Sequence, residues 1–341
     1  MELRVLVADT TDPYFNLATE DWIFRDMSAD SKVLFLWRND RSIIVGRGQN
    51  VWSECDLKRV EQDGVNVVRR HSGGGAVYQD LGNTCFTFMS GREPGLTTKD
   101  LYRRNNEILI AALKSLGVQA EASGRNDLIV EREGQPFKIS GSAFKESKDR
   151  CFHHGTMLMD VDLSKLGSYL TPDSKKLQAK GIKSVKARVL NLVEIAPQIE
   201  HDNFCLALIE AFFQMYESRV EVEHLNSSAL RTIDALGAYH DQLKSWDWIF
   251  GKTPHFEHKL QERFSWGGVE IHLDTERGRF KNVKVFTDSL LVDVVTEVSD
   301  YLQGQPYSSK GVEQALSLHM KSQPAEPELV TELYRWLGEQ I

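Results

Sequence analysis

The stretch Val68–Asp80 reads VRRHSGGGAVYQD, and its three consecutive glycines separate two short strand-like segments. Glycine loses more backbone freedom on folding than any other residue, so three in a row are unfavourable unless something requires them. These residues alone leave two interpretations open. The glycines form a loose turn beside solvated arginines, or they expose bare backbone N–H groups that cradle an anion.

Neither of the common phosphate-binding motifs explains this glycine run. A P-loop requires a lysine after its last glycine, and Ala76 stands there instead. The segment GRGQNV at Gly46 begins like a dinucleotide-binding fingerprint, but Val51 occupies the place of the third glycine. Arg69 and Arg70 end a predicted strand, so their side chains point to opposite faces. One can face a phosphate while the other is structural.

The composition limits the classes of protein and partner. The chain has 341 residues, which predicts two domains or one large domain with a smaller attachment. Its formal net charge of −8 argues against a nucleic-acid-binding function, because such proteins need a basic surface. The four cysteines are far apart, and no signal, transit or long apolar segment stands out. We therefore expect a cytoplasmic protein with free thiols and no membrane association.

The order of strand-like and helix-like segments predicts an α+β fold with a mixed, mostly antiparallel sheet and packed helices. We expect VLFLWR and SIIVGR to be buried strands joined by the turn NDR, and Trp52–Gln62 to be one helix. DLIVE and FKISGSAF are predicted to form a hairpin. The pattern changes near KSWDWIFGKTPHFEH. We therefore divide the chain into a large domain over 1–247, a linker over 248–258 and a small α+β domain over 259–341.

Three further segments carry residues with possible chemistry. A lone lysine such as Lys138 usually lies on the wet face of a sheet, but Gly141 indicates close approach of another group, which favours an anion-binding lysine. Asp127 belongs to a turn, or it holds Mg²⁺ or orients a basic residue. His153 and His154 are adjacent on a predicted strand and face opposite ways, so a structural histidine is expected rather than a metal pair.

A basic segment, KKLQAKGIKSVKARV over 175–189, is either a solvated surface loop or a mobile loop that closes over a nucleotide phosphate. With it, the motifs stand in the order RRxSGGGxVxxD, GRNDL, KxSGSA, HHGT and KGIxSV. In this combination the chain resembles the lipoate–protein ligase A family, the two-domain bacterial type of biotin/lipoate ligase. The resemblance extends over nearly the whole chain, including FNLATED and ERFSWGGVEIH.

The resemblance implies a biotin/lipoate ligase-like sheet with packed helices and a C-terminal accessory domain. It implies that ATP and Mg²⁺ activate lipoate to lipoyl-AMP with release of pyrophosphate. The lipoyl group then passes to a lysine of lipoyl-carrier domains, which are E2 subunits of 2-oxoacid dehydrogenases and the glycine cleavage H protein. The enzyme is expected to be a monomer.

The resemblance also implies roles for individual residues. Lys138 is the catalytic residue, contacting both the lipoyl carbonyl and the α-phosphate. The expected ATP and adenylate contacts are Arg70, Gly75, Ala76, Val77, Tyr78, Asn83, Asp127, Lys138, Lys180, Gly181, Ile182 and Val185. The expected lipoate contacts are Trp37, Ser72, Gly73, Gly74, Lys138 and His154. Asp127 is the candidate Mg²⁺ ligand.

Two alternatives remain beside this interpretation. An octanoyltransferase of the same fold would transfer an acyl group without ATP. Its cysteine-dependent versions form a thioester, and its cysteine-free versions use the motif lysine and lack the long C-terminal tail. The segment EASGRNDL contains no cysteine, and neither Cys85 nor Cys151 fits that role. A non-catalytic lipoyl-domain binder would show damage at Lys138, Arg70 or the glycines, which are intact. Lipoate-dependent release of pyrophosphate from ATP distinguishes the ligase from both.

Overall fold

The computed structural model describes residues 2–49, 51–124, 126–170, 189–249, 258–276, 279–306 and 308–341. Its strands, in chain order, are β1 (Glu2–Ala8), β2 (Ser31–Trp37), β3 (Ser42–Val45), β4 (Asn66–Arg69), β5 (Val77–Gln79), β6 (Asn83–Gly91), β7 (Ala120–Ser123), β8 (Asp127–Arg132), β9 (Gln135–Glu146), β10 (Arg150–Leu158), β11 (Val222–Leu225), β12 (His258–Phe264), β13 (Gly267–Glu276) and β14 (Arg279–Thr287).

The helices of the same described residues are α1 (Pro13–Asp26), α2 (Val51–Glu54), α3 (Leu57–Gln62), α4 (Thr98–Ser115), α5 (Leu163–Tyr169), α6 (His201–Tyr216), α7 (Ala229–Thr232), α8 (Asp234–Lys244), α9 (Trp246–Ile249), α10 (Val292–Leu302), α11 (Ser309–Lys321) and α12 (Pro327–Gln340). Among them, no helix is both long and apolar enough to cross a lipid bilayer.

Within the described residues the larger sheet has eight strands in the order β11-β1-β2-β6-β10-β9-β8-β7. Only the β11–β1 and β1–β2 pairs are parallel, and the other pairs are antiparallel. The predicted mixed, mostly antiparallel sheet of an α+β fold is therefore confirmed, and β8 and β9 form the predicted hairpin. Helices α4 and α6 cover one face, while α1 and α8 cover the other.

The glycine run connects two strands of a second sheet. Its strand order is β4-β3-β5, with β4 parallel and β5 antiparallel to β3. The glycines therefore do not close a hairpin, because the chain crosses from one edge of this sheet to the other. The expectation of one sheet is corrected here, since β2 and β3 are consecutive along the chain but belong to different sheets.

Local signals explain where several helices begin and end. The Asp12 carboxylate accepts a hydrogen bond of 2.9 Å from the Tyr14 N–H, and Pro13 occupies the first turn of α1. The predicted single helix Trp52–Gln62 is wrong, because two short helices lie there. The Asp56 side chain caps the second of them, and the main chain of Cys55 pairs with Leu170 between the two.

The C-terminal accessory domain has its own sheet, β12-β13-β14, and its own apolar core. Helices α10, α11 and α12 contribute the other side of this core, with Leu302, Leu333 and Leu337 fully buried. The four cysteines, by contrast, all lie in the larger part of the chain, where they are free and buried. None of the four forms a disulfide in this structure.

Arg69 ties together segments that are distant along the chain. Its buried guanidinium donates to the carbonyl oxygens of Gly46, Arg47 and Gln49 at 2.7–3.1 Å. It also donates to those of Trp248 and Ile249 at 2.6–3.1 Å. Burial lowers the pKa of Arg69 to about 10, so the cation is retained near neutral pH. Through these hydrogen bonds Arg69 has the structural role that was expected for one arginine of the pair.

We predict that Arg69→Met lowers the free energy of unfolding by at least about 3 kcal/mol, because it leaves five carbonyl oxygens in a buried region without their cationic donor. Urea unfolding followed by tryptophan fluorescence measures this change. The control is Arg219→Met, which removes an exposed ion pair with Glu210 and should change stability by less than about 1 kcal/mol. Equal unfolding midpoints for the two variants would contradict the structural role of Arg69.

Candidate active site

Arg70 shapes the glycine loop from inside. Its buried guanidinium donates to the carbonyl oxygens of Ile44, Gly73 and Gly75 at 2.6–2.9 Å. Its Nε donates to the Ser72 hydroxyl at 3.0 Å. Burial lowers the pKa of Arg70 to about 10. In this arrangement Arg70 holds the loop backbone, and its contact with a nucleotide stays a prediction.

The backbone of the glycine loop contacts the accessory domain. The Gly74 N–H, at a φ of +91° that favours glycine, donates to the Ser289 carbonyl oxygen at 3.0 Å. A Cβ on Gly73 would lie 2.6 Å from a methyl carbon of Val292. Gly48, in the neighbouring loop, accepts a 2.5 Å hydrogen bond from the Thr287 N–H. Here the close approach that the glycines permit is made by the protein itself.

A buried chain of polar side chains begins beneath the loop. The Ser72 Oγ lies 2.6 Å from His154 Nε2, and His154 Nδ1 lies 2.9 Å from a Glu20 carboxylate oxygen. Thr87 donates to the same carboxylate, and the Trp37 indole N–H donates to Thr87 at 3.2 Å. Three of the residues expected at the lipoate site, Trp37, Ser72 and His154, are thus linked through Glu20 and Thr87.

The two adjacent histidines have different surroundings, as strand alternation predicts. His153 is fully buried against the rings of Phe86, Phe88 and Phe144, and burial lowers its pKa to about 3. His154 faces the opposite side and joins the polar chain. Among the described residues no group of three or more His, Cys, Asp or Glu side chains is arranged to hold a metal ion.

A small cavity lies beside this polar chain. Its apolar walls are Leu17, Phe24, Phe152 and Leu243, and its polar walls include Glu20, Arg70, Ser72, His154, Lys145, His71 and Asp21. Burial lowers the pKa of Lys145 to about 8. Sequence analysis missed Glu20, Asp21 and Lys145. For Glu20 and Asp21 the available signal was their place within FNLATED, the motif that supported the resemblance.

His71 is held on one side of the cavity. Its Nδ1 lies 2.7 Å from an Asp21 carboxylate oxygen, and its ring stacks on Trp248 with centroids 4.2 Å apart. Burial lowers the pKa of His71, against the opposite effect of Asp21. His71 therefore contacts both α1 and α9.

Lys138 lies over a glycine on its own strand. Its Nζ is 2.7 Å from an Asp127 carboxylate oxygen, and both side chains are about one-third exposed, at 34% and 32%. A bulge between β8 and β9 shifts the register beside Lys138. A Cβ on Gly141 would lie 2.7 Å from that Nζ. The group whose close approach Gly141 was expected to permit is the Lys138 side chain itself.

The expected nucleotide contacts lie at the start of β5 and β6. Val77 and Tyr78 pair with β3, and the Tyr78 ring packs on Tyr169 with centroids 5.5 Å apart. Ala76 packs against the same apolar cluster as Tyr78. Asn83 is buried, and neither atom of its side-chain amide has a hydrogen-bond partner among the described residues. Such an amide is costly to bury, so a polar ligand or neighbour would be favourable here.

The remaining expected contacts, Lys180, Gly181, Ile182 and Val185, lie outside the described residues. The chain is described again from Val189, whose main chain pairs with Lys138. The next residue, Leu190, donates its N–H to the Lys138 carbonyl oxygen at 3.0 Å. Val189 and Leu190 therefore lie directly against β9, the strand that carries Lys138.

Solved structures that are similar to this chain include complexes with lipoate and with ATP. LipL1 from P. falciparum, solved in complex with lipoate, is 33% identical with a TM-score of 0.84, and the match covers 99% of each chain. A bipartite lipoate–protein ligase from Thermoplasma acidophilum, described together with its E2 lipoyl domain, is 26% identical with a TM-score of 0.65. It covers 76% of this chain and 100% of that one. A lipoate–protein ligase A bound with ATP is 25% identical with a TM-score of 0.64, over 74% and 100% of the two chains.

Two family models match successive parts of the chain. The model described as lipoyl protein ligase A/B catalytic domain matches residues 12–213. The model described as bacterial lipoate protein ligase C-terminus matches residues 253–337. The first match includes the glycine loop, the Ser72–His154–Glu20 chain and Lys138. The chain therefore belongs to the lipoyl protein ligase A/B family and carries the C-terminal domain of its bacterial lipoate–protein ligases.

Proposed function

We propose that this protein is an ATP-dependent lipoate–protein ligase. It activates lipoate to lipoyl-AMP with release of pyrophosphate and then transfers the lipoyl group to a lysine of a lipoyl-carrier domain. The observation that carries the proposal is the Lys138 ammonium, held beside Gly141 and Asp127 and still about one-third exposed. The lipoate-bound and ATP-bound relatives support the choice of substrates.

The first step joins two anions, so its barrier is largely electrostatic. A lipoate carboxylate oxygen attacks the α-phosphorus of ATP, and pyrophosphate leaves. A cation fixed between the two reactants stabilises the charge that they share in the transition state. Lys138 is that cation in our proposal, and Asp127 is its counterion before the substrates arrive.

Asp127 is also the residue that we propose for Mg²⁺. Mg²⁺ is held in nucleotide sites by one or two carboxylates together with phosphate oxygens and waters, so a single accessible carboxylate fits. When bound, the ion neutralises charge on the phosphates. The Asn83 amide, which lacks a partner among the described residues, would supply a neutral contact to the same ligand.

We propose that the acyl chain enters beside α1 and widens the small cavity there, which measures about 10 Å³ in this structure. Leu17, Phe24 and Phe152 offer an apolar wall of the kind that a hydrocarbon chain or dithiolane ring requires. We assign E2 subunits as carriers, which the description of the archaeal relative together with its E2 lipoyl domain supports. The glycine cleavage H protein is a second proposed carrier, and it rests on the family resemblance alone.

The cysteine arrangement favours a ligase over a cysteine-dependent octanoyltransferase. Cys85 is fully buried, and burial raises its pKa well above the ordinary value. Burial also raises the pKa of Cys151. None of the described residues that line the cavity is a cysteine. A thioester-forming nucleophile needs an accessible thiolate, and neither of these thiols offers one.

We predict that the wild-type protein releases pyrophosphate from ATP only when lipoate is added. Lys138→Ala should lower this rate by about 100- to 1,000-fold, because one preorganised charge contact is lost from the transition state. A coupled pyrophosphate assay measures the rate. Lys148→Ala is the control. Lys148 is exposed between β9 and β10, so this variant should retain the wild-type rate. Lipoate-independent acyl transfer without ATP would instead support the octanoyltransferase.

We predict that Gly141→Ala lowers the pyrophosphate rate by about 10- to 100-fold without unfolding the protein. The new methyl group meets the flexible end of Lys138 rather than backbone, so it displaces the ammonium at little cost in stability. The matched control is Gly167→Ala, whose methyl group would enter open space. Circular dichroism melting curves are recorded for both. A Gly141→Ala variant with full activity would show that the position of Lys138 is not critical.

A further inference from the structure

The Ser72–His154–Glu20 chain has the geometry of an activated nucleophile. The hydroxyl lies 2.6 Å from one ring nitrogen of the histidine, and the carboxylate lies 2.9 Å from the other. All three side chains are buried, with exposures of 2% for Ser72, 6% for His154 and 4% for Glu20. Such an arrangement of nucleophile, base and orienting acid is recognised by its geometry, whatever the fold or the order along the chain.

The hydrogen-bond directions suit proton transfer from the serine. Arg70 Nε already donates to Ser72 Oγ, so the serine hydrogen is available to point at His154 Nε2. Glu20 accepts a hydrogen bond from Thr87, and its carboxylate also accepts from the His154 Nδ1–H. This places the proton of a neutral histidine on Nδ1 and leaves its other nitrogen to act as a base toward the serine.

The lining of the neighbouring cavity is partly apolar, as an acyl group requires, but the cavity is small, about 10 Å³, so an acyl chain enters only when its walls move apart. Ser72 and His154 share the cavity with the apolar side chains of Leu17, Phe24 and Phe152. The Arg70 guanidinium beside Ser72 Oγ stabilises negative charge on that oxygen. A polar network that only braced the glycine loop would need neither an apolar cavity beside the hydroxyl nor a base aligned with it.

We propose that Ser72 is an acyl-accepting nucleophile, and that the protein cleaves activated esters of medium-length apolar acids without ATP. Ser72 Oγ forms a C–O bond to the acyl carbon, its proton passes to His154 Nε2, and the alcohol leaves with the electrons of the broken bond. His154 releases its proton to the departing group or to solvent. Water then attacks the acyl carbon with His154 as base, the acid leaves, and Ser72 Oγ recovers a proton. This activity is separate from the ligation proposed above.

The test uses the full-length protein with para-nitrophenyl octanoate in the absence of ATP. We expect release of para-nitrophenolate and, after acid quenching, an octanoyl adduct on the peptide that contains Ser72. Ser72→Ala should lower the rate by at least about 100-fold and abolish the adduct, and His154→Gln should lower the rate to a similar degree. Ser42→Ala is the matched control, since Ser42 is equally buried and its hydroxyl has no partner among the described residues.

A further variant keeps the test decisive if Ser72→Ala folds poorly. Ser72→Cys retains a nucleophile of similar size and should accumulate a thioester adduct at residue 72. Absence of an adduct on both the wild-type protein and this variant overturns the proposal, as does a Ser72→Ala rate equal to that of wild type. ATP-dependent lipoylation of a carrier domain is measured on the same samples. Ligation without ester cleavage leaves the proposed function intact and removes only this inference, whereas ester cleavage without ligation does the reverse.

Discussion

Two adjacent buried arginines position the two loops around the site, which are the loop over 46–49 and the glycine loop over 72–75. Among the described residues, neither arginine forms a salt bridge with a carboxylate. Arg69 donates to five carbonyl oxygens and Arg70 to three, and burial lowers the pKa of each to about 10. A buried cation that lost these carbonyls would be strongly destabilising, so the two loops and the cations are stable only together. Arg69 ends β4 and Arg70 follows it, and the two side chains point to opposite faces. The end of this one strand therefore binds carbonyl oxygens on both of its sides.

The glycine loop shows what this constraint permits. Arg70 holds the carbonyls of the loop inward, and the N–H of Gly74 is left to contact the accessory domain through Ser289. Bare glycine backbone can bind an anion or another stretch of chain with the same donors. In this structure the accessory domain uses the Gly74 N–H, so an anion that bound to the same donor would have to displace Ser289.

Sequence analysis found the family, the α+β class, the opposite faces of His153 and His154, and the close approach at Gly141. These depend on local alternation or on contiguous motifs, which a single chain displays directly. It did not find that β4 and β5 flank β3, that Ser289 reaches Gly74, or that Glu20 orients His154. Those contacts join residues far apart along the chain, and nothing in local periodicity specifies such pairings. The break within Trp52–Gln62 was missed for the same reason, because Cys55 pairs with distant Leu170.

The burial of the cysteines has a consequence for redox chemistry. Burial raises the pKa of Cys55 and of Cys205 to about 12, and it raises the pKa of Cys85 well above its ordinary value. Thiol–disulfide exchange proceeds through the thiolate, whose fraction near neutral pH is very small for such groups. Lipoate carries a cyclic disulfide that an accessible thiolate would open. For the ligase function that we propose, unreactive thiols would avoid mixed-disulfide formation with this ring, and the fold places all four cysteines inside.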